Sequence, residues 1–201
     1  MLKTHVMDLP RESRILDLCC GDMHVLRRIA EIRPDLELYG VDSGDLPPGT
    51  GHGKIKFTKA DIKDFVTDTR FQMVLAIDVL EHLPVPQQLV RCARNVLVEG
   101  GDLYVCVPSV TKLFLFGDAN FYSDYTHVRP FNKKGLSRLL QDNGFQIRDI
   151  TDTGKRGIRF LPRFFYYLAR GIFSVDTNFM NAAIAMMGGI AIEALAKKEG
   201  L

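Results

Sequence analysis

The segment Phe71–Ile77, FQMVLAI, constrains the fold more than any other stretch of the chain. Gln72 is its one polar residue, and a strand apolar on both faces belongs inside a parallel sheet covered by helices on both sides. Other short apolar runs repeat at intervals around it. Residues 14–19 (RILDLC), 36–41 (LELYGV), 54–59 (KIKFTK), 102–108 (DLYVCVP) and 145–150 read as five further strands. Helical spacing fills the gaps. Val25, Leu26, Ile29, Ala30 and Ile32 recur along residues 22–32, which Pro34 stops. Pro84 or Pro86 opens a second helix carrying Leu89, Val90, Ala93 and Val96, which Gly100 and Gly101 end. Residues 132–143 make a third, with Leu136, Leu139 and Leu140 inward and Gly144 as a left-handed cap. Between the second and third strands, SGDLPPGTGHG is too rich in Gly and Pro for a crossover helix and predicts a loop. The βαβ alternation is that of an α/β doubly wound sheet.

At 201 residues, the chain suits one domain over 1–201 rather than two. A net charge of +2 supplies no concentrated basic face of the kind that tracks phosphates, so no nucleic acid is expected as a partner. The N-terminus, MLKTHVMDLPRES, has no secretory apolar core. Cys19, Cys20, Cys92 and Cys106 form no CxxC pair, and they read as reduced thiols of a cytoplasmic protein. The apolar run 179–196 is interrupted by Asn181, Glu193 and a glycine pair, short of the about 20 consecutive apolar residues of a membrane span. It is read as a helix followed by a last strand, GGIAIEALAKK, at the sheet edge beside strand six. A helical insertion over about 153–187 precedes that strand.

Ligands of open α/β sheets bind outside the carboxyl ends of the strands. Strand one runs into Asp17, Cys19 and Gly21, strand two into Asp42 and Ser43, and strand three into Asp61 and Ile62. A carboxylate at 42 suits two ribose hydroxyls. An acid at 61 beside an apolar residue suits an adenine amino group and ring. Three acids at consecutive strand ends favour an uncharged or cationic adenosine ligand and repel a pyrophosphate.

These segments resemble, in order and spacing, the class I S-adenosylmethionine-dependent methyltransferases. RILDLCCGD resembles the family's first motif, ELYGVDS its ribose-binding strand and KADIKDF its adenine segment. AIDVLEHLP resembles the fourth-strand motif, and RNVLVEGGDLYVCVPS the helix leading to strand five. THVRPFNKKGLSRLLQDNGFQI resembles the segment before strand six, and GGIAIEALAKK the final antiparallel strand. The resemblance implies a Rossmann-like sheet, mostly parallel with an antiparallel last strand, and S-adenosyl-L-methionine as cofactor. It implies that Asp17, Cys19 and Gly21 shape the methionine end. Asp42 with Ser43 would hold the ribose, Asp61 with Ile62 the adenine, and Asp78 and His82, with Val79, the border of the sulfonium. The chain departs from the family at Cys19 and Met23, where the motif has glycines, and Met23 is expected near the ligand's amino-acid tail. The N-terminal helix that often caps this fold is not evident, so residues 109–131 are expected to form the lid.

Methyl transfer from a sulfonium needs alignment and, for a hydroxyl acceptor, a base such as histidine. His82, after the fourth strand, and His127, on the expected lid, are the catalytic candidates. His82 reads equally as a residue tying its loop to the helix, and His127 as a base or an acceptor contact. Asp78, Glu81 and His82 are chemically able to hold a divalent ion, as some quinone-biosynthesis O-methyltransferases are thought to do, but acids at a helix start usually serve as caps, and no metal is expected. Phe114, Phe116, Phe121, Tyr122, Tyr125 and Phe131 either stack on an acceptor or pack under the loop. Arginines and aromatics over 156–179 suit a peripheral membrane contact on the inner face, a lipid-linked acceptor, a dimer face or a packed subdomain. The expected activity is methyl transfer to a small-molecule or lipid- or glycan-linked acceptor, at oxygen. The alternative is a non-catalytic scaffold or binding protein of the same fold. A nicotinamide enzyme would need G-x-G-x-x-G after strand one, where a single glycine stands.

Overall fold

The computed structural model describes residues 1–46, 53–153, 165–166, 168–170 and 177–200. In chain order the elements are α1 (Leu2–Asp8), β1 (Arg14–Leu18), α2 (His24–Ile32), β2 (Glu37–Asp42), β3 (Lys56–Lys59) and β4 (Phe71–Ile77). Then follow α3 (Gln87–Val96), β5 (Leu97–Pro108), α4 (Lys133–Gln141), β6 (Phe145–Thr153), α5 (Thr177–Gly188) and β7 (Ala191–Lys198). The strands form one sheet in the order β3-β2-β1-β4-β5-β7-β6. Pairing is parallel from β3 to β5, and β7 runs antiparallel to both its neighbours.

The composition of β4 follows from its place at the centre. Val74 and Ala76 join a core with Leu89, Val90 and Ala93 of α3 and Leu136 and Leu140 of α4. Met73 and Leu75 point into a second core with Val6 of α1 and Leu26 and Ile29 of α2. Each fully buried aliphatic side chain contributes about 1.5–3 kcal/mol of transfer free energy, so a strand loaded on both faces anchors both layers at once.

The last strand departs from expectation. It is not at the edge beside β6 but between β5 and β6, with Ala196 paired to Leu103 on one side and Ile147 on the other. Ile192, Ala194, Leu195 and Ala196 are buried, as a strand with two neighbours requires. β6 carries Gln146, Arg148, Asp149 and Thr151, and polar side chains of that kind suit an edge.

An N-terminal helix is present after all. α1 has seven residues, too few to hold by propensity alone. Val6 is fully buried, and the Arg33 guanidinium donates to the carbonyls of Val6, Met7 and Leu9 at 2.8, 3.0 and 3.0 Å. Those are orphan carbonyls of the helix end and the turn beyond it. Asp35 holds the guanidinium in place at 2.7 Å, and the bond keeps its carboxyl down at about 2.

Boundaries moved at two helices. α2 begins at His24 rather than 22, because the backbone turns left-handed at Met23. α3 ends at Val96, and Leu97 is already extended and paired with Phe71. Gly100 and Gly101 therefore do not end the helix; they lie in a bulge between the Phe71–Leu97 and Met73–Asp102 pairs. The helix and strand expected within 179–196 are α5 and β7. The loop after β2 has no helix over its described residues 43–46, and its remainder to 52 lies outside them. Most of 153–176, including most of the proposed membrane-contact segment, also lies outside the described residues. Among the described residues, no helix is long and apolar enough to cross a membrane.

Candidate active site

The sheet reverses its winding between β1 and β4, and the crevice at their carboxyl ends is where such folds take ligands. After β1, the backbone turns left-handed three times at alternate residues: Cys19 at φ 60°, Gly21 at 50° and Met23 at 62°. The loop thus keeps the conformation for which glycine is the usual residue, even where Cys and Met stand. Gly21 is the open one. A Cβ there would meet nothing within 4 Å, so its backbone is accessible to a ligand. Met23 is fully buried in the core with Val6, Ile15 and Leu26, and therefore does not reach the ligand's amino-acid tail as expected.

Asp42 closes the loop from the side. Its carboxylate accepts from Gly21 N–H at 2.9 Å and from Gly44 N–H at 2.8 Å. Each carboxylate oxygen carries two lone pairs, so one on each remains for a further donor. Asp17 is buried at the end of β1, and burial, with Asp42 adding repulsion, pushes its carboxyl up to about 8. Burial and then the fields of Asp42, Asp17 and Asp61 push the Cys19 thiol up to about 12. All three acids therefore converge on this loop, and the thiol stays protonated, which rules it out as a nucleophile. Asp61 and Ser43 are exposed, Asp61 accepting from Lys63 N–H at 2.8 Å, while Ile62 packs against the core.

The second half of the site lies after β4. Asp78 takes φ 49°, a rare angle for an L-residue, and its N–H donates to the Cys106 carbonyl at 2.9 Å. Val79 is buried, and Leu80–His82 form one 3₁₀ turn. Strained backbone of this kind gathers at functional sites. Over the turn lies the segment after β5, in three short 3₁₀ turns: Val110–Phe114, Gly117–Ala119 and Phe121–Ser123. Its far end is tied down, because Val128 and Arg129 N–H both donate to the Glu81 carbonyl, at 2.9 and 3.2 Å. Its middle is held by Asn181 of α5, which exchanges two hydrogen bonds with the Phe116 backbone.

This arrangement brings His82 and His127 together, with ring centroids 4.7 Å apart. His82 Nδ1 lies 2.8 Å from Thr126 Oγ1, and that hydroxyl donates to Asp124 at 2.6 Å. The hydroxyl proton is therefore committed, and the histidine must be the donor to Thr126. His127 Nδ1 donates to the Phe121 carbonyl at 2.6 Å. In neutral rings this leaves each Nε2 with a lone pair. Beneath them, Glu81 is fully buried with neither carboxylate oxygen hydrogen-bonded, and burial pushes its carboxyl up to about 7. Phe121 and Phe131 are buried under the segment, whereas Phe114, Phe116, Tyr122 and Tyr125 are exposed. Thr126 and Asp124 were not singled out in the sequence, though D-x-T is the spacing at which an Asp side chain caps the residue two positions on.

A family model described as a methyltransferase domain matches residues 2–150. The chain belongs to that family, the class I S-adenosylmethionine-dependent methyltransferases, and its cofactor is S-adenosylmethionine. It is an enzyme of that class. Over 195 residues it is 26% identical to a ubiquinone biosynthesis O-methyltransferase of Marinobacter nauticus, covering 85% of this chain and 76% of that protein. Over 117 residues it is 28% identical to a trans-aconitate 2-methyltransferase of Streptomyces avermitilis, covering 53% of this chain and 44% of that one. An S-adenosylmethionine-dependent methyltransferase of Archaeoglobus fulgidus superposes with a TM-score of 0.66 at 20% identity, over 98% of this chain and 91% of that one, a likeness of fold.

Proposed function

We propose that the enzyme methylates an oxygen of a small acceptor, with the histidine pair at the end of β4 removing its proton. The observation that carries this reading is the fixed pair of rings: both Nδ1 atoms are held as donors, so each Nε2 keeps its lone pair. Asp42 and Ser43 hold the ribose, and Asp61 with Ile62 the adenine. Asp17, Cys19 and Gly21 line the methionine end, while Asp78 and Val79 border the sulfonium. The chain acts as one domain, and residues 109–131 serve as its lid. S-adenosylmethionine, when bound, would supply the methyl group from its sulfonium and be released as a neutral thioether, while Nε2 would take the proton of the acceptor hydroxyl as its oxygen is methylated. Proximity contributes up to about 7–11 kcal/mol to such a step, and a placed base about 10²–10⁴-fold. Exposed Phe114, Phe116, Tyr122 and Tyr125 favour an apolar or lipid-linked acceptor, approached with a peripheral membrane contact through 156–179.

Calorimetry with S-adenosylhomocysteine tests the cofactor half, with Asp42→Ala alongside. Binding is expected in the wild type, weakened at least about tenfold in the variant, which loses charge-assisted hydrogen bonds. Transfer to a panel of phenols, catechols and carboxylates tests the other half. His82→Ala and His127→Ala are each expected to lower kcat by about 10²-fold or more with cofactor affinity kept. Cofactor binding without turnover on any acceptor favours the scaffold alternative. Full activity in both histidine variants defeats the base.

A further inference from the structure

At the end of β4, a carboxyl and two imidazoles face one another with no hydrogen bond between them. The Nε2 of His82 lies 3.9 Å from Glu81 Oε1, and that of His127 lies 3.8 Å from Asp124 Oδ2, both beyond hydrogen-bond reach. The Glu81 side chain is 1% exposed and finds no donor for either oxygen. A cation joined to these donors would offset the cost of burying the charged carboxylate. A ring nitrogen from each histidine and an oxygen of Glu81 lie within 4.8 Å of one another. Tetrahedral ligand atoms about 2.1 Å from one ion lie roughly 3.4 Å apart, so side-chain shifts on the order of 1 Å close the shell.

We propose that Glu81, His82 and His127 form a divalent metal site that clasps the lid to the sheet. Two imidazoles and one carboxylate suit a first-row transition ion of the zinc type, whereas magnesium and calcium prefer all-oxygen shells. The outer shell is already built. His82 donates its Nδ1–H to Thr126, itself oriented by Asp124, and His127 donates its own to the Phe121 carbonyl. Ligand histidines are held in just this way. Among the described residues, Asp78, three positions before Glu81, does not join the set. The third ligand comes from the segment over the site, one residue before the point where Val128 and Arg129 bond to Glu81. An ion there spans floor and lid and occupies both Nε2 lone pairs, so the histidine pair acts as the base only in the metal-free enzyme.

The test needs neither cofactor nor acceptor. Wild-type protein stripped with a chelator is titrated with Co²⁺ under visible absorption, and with Zn²⁺ by equilibrium dialysis. One ion per chain and the d–d bands of a low-coordinate nitrogen and oxygen site are expected. Glu81→Gln, His82→Ala and His127→Ala should each weaken binding at least about tenfold, while Asp78→Asn stays within about twofold. Zn²⁺ should also slow proteolysis within 110–131 in the wild type and not in His127→Ala. Circular dichroism and S-adenosylhomocysteine binding on the same samples report folding and the cofactor site separately. No bound ion, thiolate charge-transfer bands, loss with Asp78→Asn equal to that with Glu81→Gln, or binding indifferent to His127 each overturns the clasp.

Discussion

At the scale of single residues, the loop after β1 shows conformation outlasting composition. Cys19 and Met23 hold left-handed angles that cost an L-residue about 1–2 kcal/mol each. Their side chains decide whether that cost is offset. Met23 is fully buried, and losing a buried Met side chain costs about 2–5 kcal/mol, more than relief of the strain returns. Met23→Gly is therefore expected to destabilise the protein by roughly 2–3 kcal/mol in urea unfolding. Cys19 is only half-buried, so Cys19→Gly should change stability by less than about 1 kcal/mol, strain relief opposing the added freedom of the unfolded chain. It should also tighten cofactor binding by removing a side chain from the loop. An equal loss in the two glycine variants would defeat this account. The departure from a glycine motif was visible in the sequence. Which way each side chain points was not, because φ and burial at one residue depend on the helices above it.

At the scale of elements, α1 shows what local pattern cannot disclose. Its residues have a single buried position, Val6, so no amphipathic stripe advertises a helix. Its end is held from the far side by Arg33, which belongs to the turn after α2. Replacing Arg33 with Met should leave the sheet folded and free the first segment. Hydrogen exchange is the measurement: amides of α1 are expected to lose protection while those of β1 and β4 keep theirs. Unchanged protection would show that Val6 packing alone retains the helix. The reverse case is α4, whose signals were local. Asn132 caps it through the Gly135 N–H at 2.7 Å, and Gly144 follows at φ 81°, so its place was legible before its partners were known.

At the scale of the whole molecule, the acid buried at the end of β1 makes stability depend on pH. Asp17 has its carboxyl raised from 3.8 to about 8, mainly by burial. Between those pH values the folded state holds a proton that the unfolded state has released. The stabilisation this gives is complete below about pH 4 and is lost as pH rises through about 8, on the order of a few kcal/mol. Asp35, held low by Arg33, acts in the opposite sense and only below about pH 4. Urea unfolding of the ligand-free protein should thus show stability falling from pH 5 to pH 8, with a flatter profile in Asp17→Asn. A wild-type profile as flat as the variant's would show that Asp17 is ionised throughout.

The amino-acid sequence by itself determined the strands, the helices between them and the acids at the strand ends. These are local matters: an apolar run, a helical period, a turn residue, and an acid placed within a few positions of a strand end in a fold whose strand ends always face the ligand. Tertiary structure alone decided the rest. β7 entered between β5 and β6 because a strand apolar on both faces is most stable with neighbours on both sides, a choice its own residues do not order. His82 met Thr126 across 44 positions of chain, and Glu81 was buried without a donor, because the segment after β5 folds back onto the end of β4. Such contacts depend on which long-range closure buries most surface with its polar groups satisfied, and no window of sequence holds both partners.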